Sequence, residues 1–77
     1  MKFETYETSD FYLASFLRAN GFRIVDTRKE GRRVTFVFED CPKRQQLITS
    51  YYNGEGTVNP LSFVDSMKNM KALVYNY

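Results

Sequence analysis

Four cations fall within six positions of this sequence: Arg28, Lys29, Arg32 and Arg33. Clustered positive charge on a protruding two-stranded ribbon can enter a groove or clasp phosphates, because each phosphate neutralised releases condensed counterions. Arg23 stands on the neighbouring strand, and Lys43 and Arg44 at the next helix start could extend such a patch. The plainer reading is a solvated hairpin tip whose charges keep a sheet edge from pairing with another chain. Asp26 and Glu30 lie in the same segment and dilute its field.

Other chemistries find less support. The chain has no His, which excludes His-based triads and His-ligated metals. Its one cysteine, Cys41, precedes a helix start, where a thiol is favoured as the thiolate. It has neither a His base nor a second Cys, and reads as a small, inert residue at a cap position. Glu39 and Asp40 are adjacent, so on a strand they point to opposite faces and do not converge. Asp10 and Asp40 fit better beside the positive ends of the helices that follow them. Gly31, Gly54 and Gly56 build no phosphate loop, and Glu4 and Glu7 have no calcium-loop spacing. The expectation is a non-enzymatic domain with no cofactor and no metal.

Aromatic and sulfur-bearing side chains form the second candidate surface. Tyr51-Tyr52 and Tyr75/Tyr77 could stack on bases or fill a partner's pocket, although one Tyr of each pair is expected inside and the other at the surface. Near the C-terminus Met67, Met70, Val74 and Tyr77, with Leu73, spread apolar groups over more than one helical face. In so small a domain that excess suggests an interface with a second copy or another protein.

These residues need elements to position them. Residues 2–7 alternate weakly, with Phe3, Thr5 and Glu7 on one side and Lys2, Glu4 and Tyr6 on the other, and predict a short edge strand. Thr8-Ser9-Asp10 offers an N-cap to the helix FYLASFLRAN, in which Leu13, Phe16 and Leu17 form an apolar stripe and Gly21 ends the helix. Residues 22–27 and 33–39 are alternating runs rich in β-branched and aromatic residues, and Arg28–Arg32 between them reads as a hairpin loop. Cys41-Pro42 predicts a helix start with proline in the first turn. Leu47, Ile48, Tyr51 and Tyr52 make that helix's apolar face, which ends at Asn53-Gly54. Asn59-Pro60 opens the last helix, with Phe63, Val64, Met67, Met70 or Lys71, and Val74 recurring to the C-terminus. The predicted architecture is a single α+β domain over residues 1–77, in the order β-α-β-β-α-α. A small antiparallel sheet has helices on one face, and the place of the first strand in it stays open.

Composition sets the outer bounds. The 77 residues are 43% hydrophobic and 26% charged, which suits one folded domain and excludes disorder. Six Tyr and seven Phe bring the aromatic share to 17%, supplying large rings to a core with few residues. A net charge of +2 does not by itself imply a nucleic-acid partner. No apolar run approaches the ~18 residues of a membrane span, and no basic-then-apolar segment follows Met1, so the expected location is cytoplasmic with no membrane partner.

The segments ETSDFYLASFLRANG, GRRVTFVFED and YYNGEGTVNPLSFVDSMKNMKALVY resemble a family of small prokaryotic and phage-associated proteins known only as a domain of unknown function. The resemblance runs from about Glu7 to Tyr75, and Cys41 departs from the Thr or Ser expected before the proline. It brings no activity with it. The functional expectation is a small binding domain that takes nucleic acid through Arg28, Lys29, Arg32 and Arg33. The alternative is a protein-interaction or homodimerisation module using the C-terminal helix.

Overall fold

The first helix, α1 (Phe11–Ala19), follows a short strand β1 (Thr5–Thr8) and precedes a hairpin of β2 (Ile24–Glu30) and β3 (Arg33–Glu39). Two further helices complete the chain, α2 (Arg44–Tyr52) and α3 (Pro60–Tyr75). The computed structural model describes residues 4–75. The order is the predicted β-α-β-β-α-α, and the three strands form one antiparallel sheet in the order β1-β3-β2. The place of β1 is thereby settled: it pairs with β3, opposite the hairpin partner, with Tyr6 beside Phe38 and Thr8 beside Phe36. Within the described residues the strand begins later than expected and reaches Thr8.

Local chemistry sets the helix ends. The Asp10 carboxylate accepts the backbone N–H groups of Tyr12 and Leu13 at 3.0 and 3.1 Å, satisfying donors that the first turn leaves unpaired. At the other end the Gly21 and Phe22 N–H groups return to the carbonyls of Arg18 and Leu17, both at 3.1 Å. That is a Schellman closure, and it needs the left-handed φ of +89° that Gly21 adopts. Asn59 caps α3 in the same manner as Asp10, accepting from Leu61 and Ser62. The start of α2 departs from expectation. Arg44 N–H bonds to the Cys41 carbonyl at 3.0 Å, so Pro42 occupies a turn and the helix begins two residues after it, with no side-chain cap.

The hairpin also differs from its sequence reading. Glu30 pairs directly with Arg33, so the connection is the two-residue turn Gly31-Arg32 rather than a loop over Arg28–Arg32. Gly31 has φ +61° and Arg32 does not share the positive φ, which is the pattern of a type II′ turn. Arg28 and Lys29 are consequently strand residues on opposite faces of β2. A register shift between Ile24 and Asp26 leaves Val25 as the extra residue of a bulge, and it is exposed.

Helix α1 lies at the centre. Leu13, Ala14, Phe16 and Leu17 bury themselves with Phe22, Phe36, Phe38 and Met70 in one core. Tyr6, Ile24, Val34, Leu47, Ile48, Tyr51, Val58, Phe63, Leu73 and Val74 pack around it. Ser15, also fully buried, donates its hydroxyl to the Phe11 carbonyl at 2.9 Å and so leaves no polar atom unpaired. The position left open between Met70 and Lys71 goes to Met70, which is 0% exposed.

Beside α1 the loop after α2 passes so close that a Cβ built on Gly56 would lie 2.9 Å from Phe16 Cζ and 3.3 Å from the Tyr51 Cα. The Phe16 ring is itself packed on Tyr51, with centroids 5.1 Å apart, and has little room to retreat. A Gly56→Ala variant is expected to lose about 1–3 kcal/mol of stability, the usual cost of overpacking, in urea unfolding.

Candidate ligand-binding surface

The hairpin cations do not form one patch. On the face of the sheet away from the helices lie Thr5 and Glu7 of β1, Thr35, Val37 and Glu39 of β3, and Asp26, Arg28 and Glu30 of β2. Arg28 reaches from β2 across the central strand to Glu7 on β1, at 3.0 Å, and also stands 3.8 Å from Asp26. Val37, flanked in register by Glu7 and Asp26, is buried on a face that no helix covers. The long Arg28 side chain and its carboxylate partners shield it, as extended cationic side chains do over apolar surface. Arg28 is therefore the one cation of the predicted phosphate-binding set that is paired with carboxylates among the described residues.

Lys29, Arg32 and Arg33 have different surroundings. Lys29 faces the helix side beside Val34, Arg32 sits in the exposed turn, and Arg33 donates from Nε to the Ser9 hydroxyl at 3.0 Å. Ser9 in turn shares a hydrogen bond with Thr35, which braces Arg33 on neutral groups. Among the described residues none of these three cations has a carboxylate within ion-pair distance.

The cations thought to extend the patch lie elsewhere. Arg23 and Lys43 are at the far end of β3, where the Arg23 carbonyl accepts from Glu39 and Lys43 Nζ sits 5.9 Å above the Phe22 ring. Seven strand residues, about 20 Å, separate that end from the turn. Arg44 grips Asp40 through two hydrogen bonds of 3.0 and 3.2 Å, and its guanidinium covers the Tyr6 ring at 4.5 Å. Asp40 also receives the Cys41 N–H, and its own N–H bonds to the Glu4 carbonyl. The group ties the start of α2 to β1 and β3. The hydrogen bonds from Arg44 hold the Asp40 carboxyl below the usual carboxylate range, with the Cys41 N–H assisting and burial opposing. Cys41 is a half-buried free thiol in this junction, and among the described residues no three Asp, Glu or Cys side chains gather as a metal site.

The C-terminal interaction surface is also redrawn. Met70 lies wholly inside the core and belongs to no exposed face, while Val74 is half-buried and packs against the core. Met67 is half-buried, and Tyr77 lies outside the described residues. The apolar side chains that α3 does expose are Leu61, Val64 and Tyr75. Tyr51 and Tyr52 divide as expected, Tyr51 onto Phe16 and Tyr52 outward with its hydroxyl 3.3 Å from Asp10. Burial raises both phenol pKa values, and the neighbouring Asp10 carboxylate adds to the effect.

One surface was not visible as a motif. The last turns of α3 meet the first turn of α1, and Phe11, Tyr12, Lys71, Val74 and Tyr75 line an open groove of about 280 Å³ between them. Tyr12 and Tyr75 remain 60% and 82% exposed there. Sixty residues separate the two sides of the groove in sequence, so no local spacing could have revealed it.

Fold and surface together define a small α+β domain in which Lys29, Arg32 and Arg33, at the turn end of its hairpin, have no carboxylate partner among the described residues. The chain belongs to the family described as a domain of unknown function (DUF5659), whose family model matches residues 3–76. No curated protein and no solved structure matches it. No helix of the described residues is long and apolar enough to cross a membrane.

The lowered Asp40 pKa carries a definite sign. A carboxylate more acidic folded than unfolded stabilises the fold above its unfolded pKa, and that contribution is lost as pH falls through the folded value. In urea unfolding across pH, the stability gap between the native chain and Asp40→Asn is expected to be widest near neutrality. It should close as pH drops below about 4.

Proposed function

We propose that this domain is a non-enzymatic nucleic-acid-binding module that contacts phosphates with the turn end of its β2–β3 hairpin. The observation that carries the reading is the contrast along the hairpin: Arg28 is paired with Glu7 and Asp26, while Lys29, Arg32 and Arg33 have no carboxylate partner among the described residues. The two-residue turn sets Arg32 at the tip, with Lys29 and Arg33 beside it on opposite faces of the sheet, and phosphate contacts of this kind position a protein without reading sequence. On this reading the domain acts in the cytoplasm, in the prokaryotic or phage setting that its resemblance implied. A second reading, self-association or protein binding through α3, is supported by Leu61, which is 75% exposed, and Val64 one turn later.

Fluorescence anisotropy with labelled single- and double-stranded oligonucleotides tests the first reading. Affinity should fall as salt rises, and Lys29→Ala and Arg32→Ala should each reduce the log–log salt slope by about 1. Arg28→Ala should leave that slope in place and cost at most about 1 kcal/mol of stability, since its ion pair is half-exposed. Absence of binding to every oligonucleotide at low salt would overturn the reading. Concentration-dependent sedimentation abolished by Leu61→Glu would favour the second.

A further inference from the structure

The groove between α1 and α3 combines features that a core or a simple solvated face does not need. Its rim consists of two tyrosines held largely in water, which leaves apolar ring surface unburied. The Tyr12 ring is fixed edge-on against Phe11, at 5.6 Å and 79°, and Phe11 is tilted against Phe36 of the central strand at 6.5 Å. Among the described residues Lys71 is the one charged residue in the lining, which there contains no carboxylate.

The groove and the hairpin cations belong to the same end of the molecule. Phe36 faces the helices, and the next pair on that face toward the turn is Val34 with Lys29. Lys29 is thus one row beyond the residue on which Phe11 packs. Flat aromatic surface beside Lys71, with Lys29 and Arg32 further along, is complementary to a base flanked by backbone phosphates. About 280 Å³ is below the ordinary range of ~300–1,000 Å³ for pockets that enclose a drug-sized ligand, and it suits one ring system rather than a whole cofactor.

We propose that this groove stacks an unpaired base, so that the nucleic acid bound by the hairpin end is single-stranded. The inference rests on the nucleic-acid reading and adds to it the state of the strand. In a duplex the bases are stacked on one another and their faces are unavailable to Tyr12 and Tyr75. In a single strand every base offers a face, and stacking of this kind tolerates any sequence. Lys71 then supplies a phosphate contact next to the stacked base, continuing the track that Lys29 and Arg32 begin.

The absence of Trp leaves tyrosine emission as a direct reporter of stacking. The native chain is titrated with an oligothymidine of about ten nucleotides and with a duplex of the same length, following tyrosine quenching and anisotropy. The expected result is tighter binding of the single strand. Tyr12→Ala and Tyr75→Ala should each weaken it roughly 5- to 100-fold and leave duplex binding unchanged. Lys71→Ala should reduce the salt slope by about 1. Tyr12→Phe and Tyr75→Phe keep the ring and should bind nearly as the native chain does, and circular dichroism confirms that each variant is folded.

Equal binding of duplex and single strand, unaffected by the tyrosine variants, would overturn the groove proposal and leave the hairpin reading standing. Failure of both ligands to bind would overturn both. Self-association of the native chain that is lost in Tyr12→Ala would show the groove to be filled by a second copy and would also overturn the proposal.

Discussion

The middle of helix α1 is enclosed on every side, and the rest of the domain is arranged around that condition. Five consecutive residues, Leu13 to Leu17, are buried, whereas an ordinary surface helix hides only one stripe. The sheet supplies Phe36 and Phe38, α3 supplies Met70, and α2 with its following loop supplies Tyr51 and Gly56. Ala14 and Ser15 are small enough to admit close neighbours, and the Ser15 hydroxyl turns back to its own helix. Each fully buried Leu or Phe contributes about 1.5–3 kcal/mol, so a handful of such residues supplies most of what a domain of this size can gather. By comparison α2 has no fully buried residue and is held by partial burial and by its ties at Asp40, Arg44 and Gly56.

That arrangement leaves one sheet face without a helix, and the charges settle accordingly. On the bare face Arg28, Glu7 and Asp26 form a strap over the central strand and protect Val37. At the far end of β3, Asp40 and Arg44 join α2 to the sheet, with Tyr6 beneath the guanidinium. Two of the conspicuous cations therefore serve the fold. Around Gly31-Arg32, Lys29, Arg32 and Arg33 have no ion pair among the described residues, although Glu30 is the register partner of Arg33. A basic run in a sequence thus overstates the charge available to a ligand.

The same geometry gives meaning to the exposed tyrosines. Tyr12 and Tyr75 are at opposite ends of the chain, yet α3 returns along α1 and sets them on the two sides of one groove. The membership of a domain-of-unknown-function family transfers no activity, so the functional reading depends on this chain's own surfaces. Those surfaces put cations and unburied rings at one end, the combination on which a flexible, charged strand with exposed bases gains most.

By itself the sequence determined the elements and most of their ends. Asp10, Gly21, Asn59-Pro60 and the alternation through 33–39 act within a few residues, and capping, turn formation and side-chain periodicity are short-range effects. It also implied the α+β class, since strands and helices of this length can bury their apolar sides only against one another. Only the tertiary structure decided the sheet order, the burial of Met70, the pairing of Arg28 and the existence of the groove. Each of these joins residues more than twenty positions apart, where no periodicity reaches. Pro42 marks the boundary between the two. Its ring favours a helix start and a turn alike, and the hydrogen bond from Arg44 to the Cys41 carbonyl, beside the Asp40 junction, selected the turn.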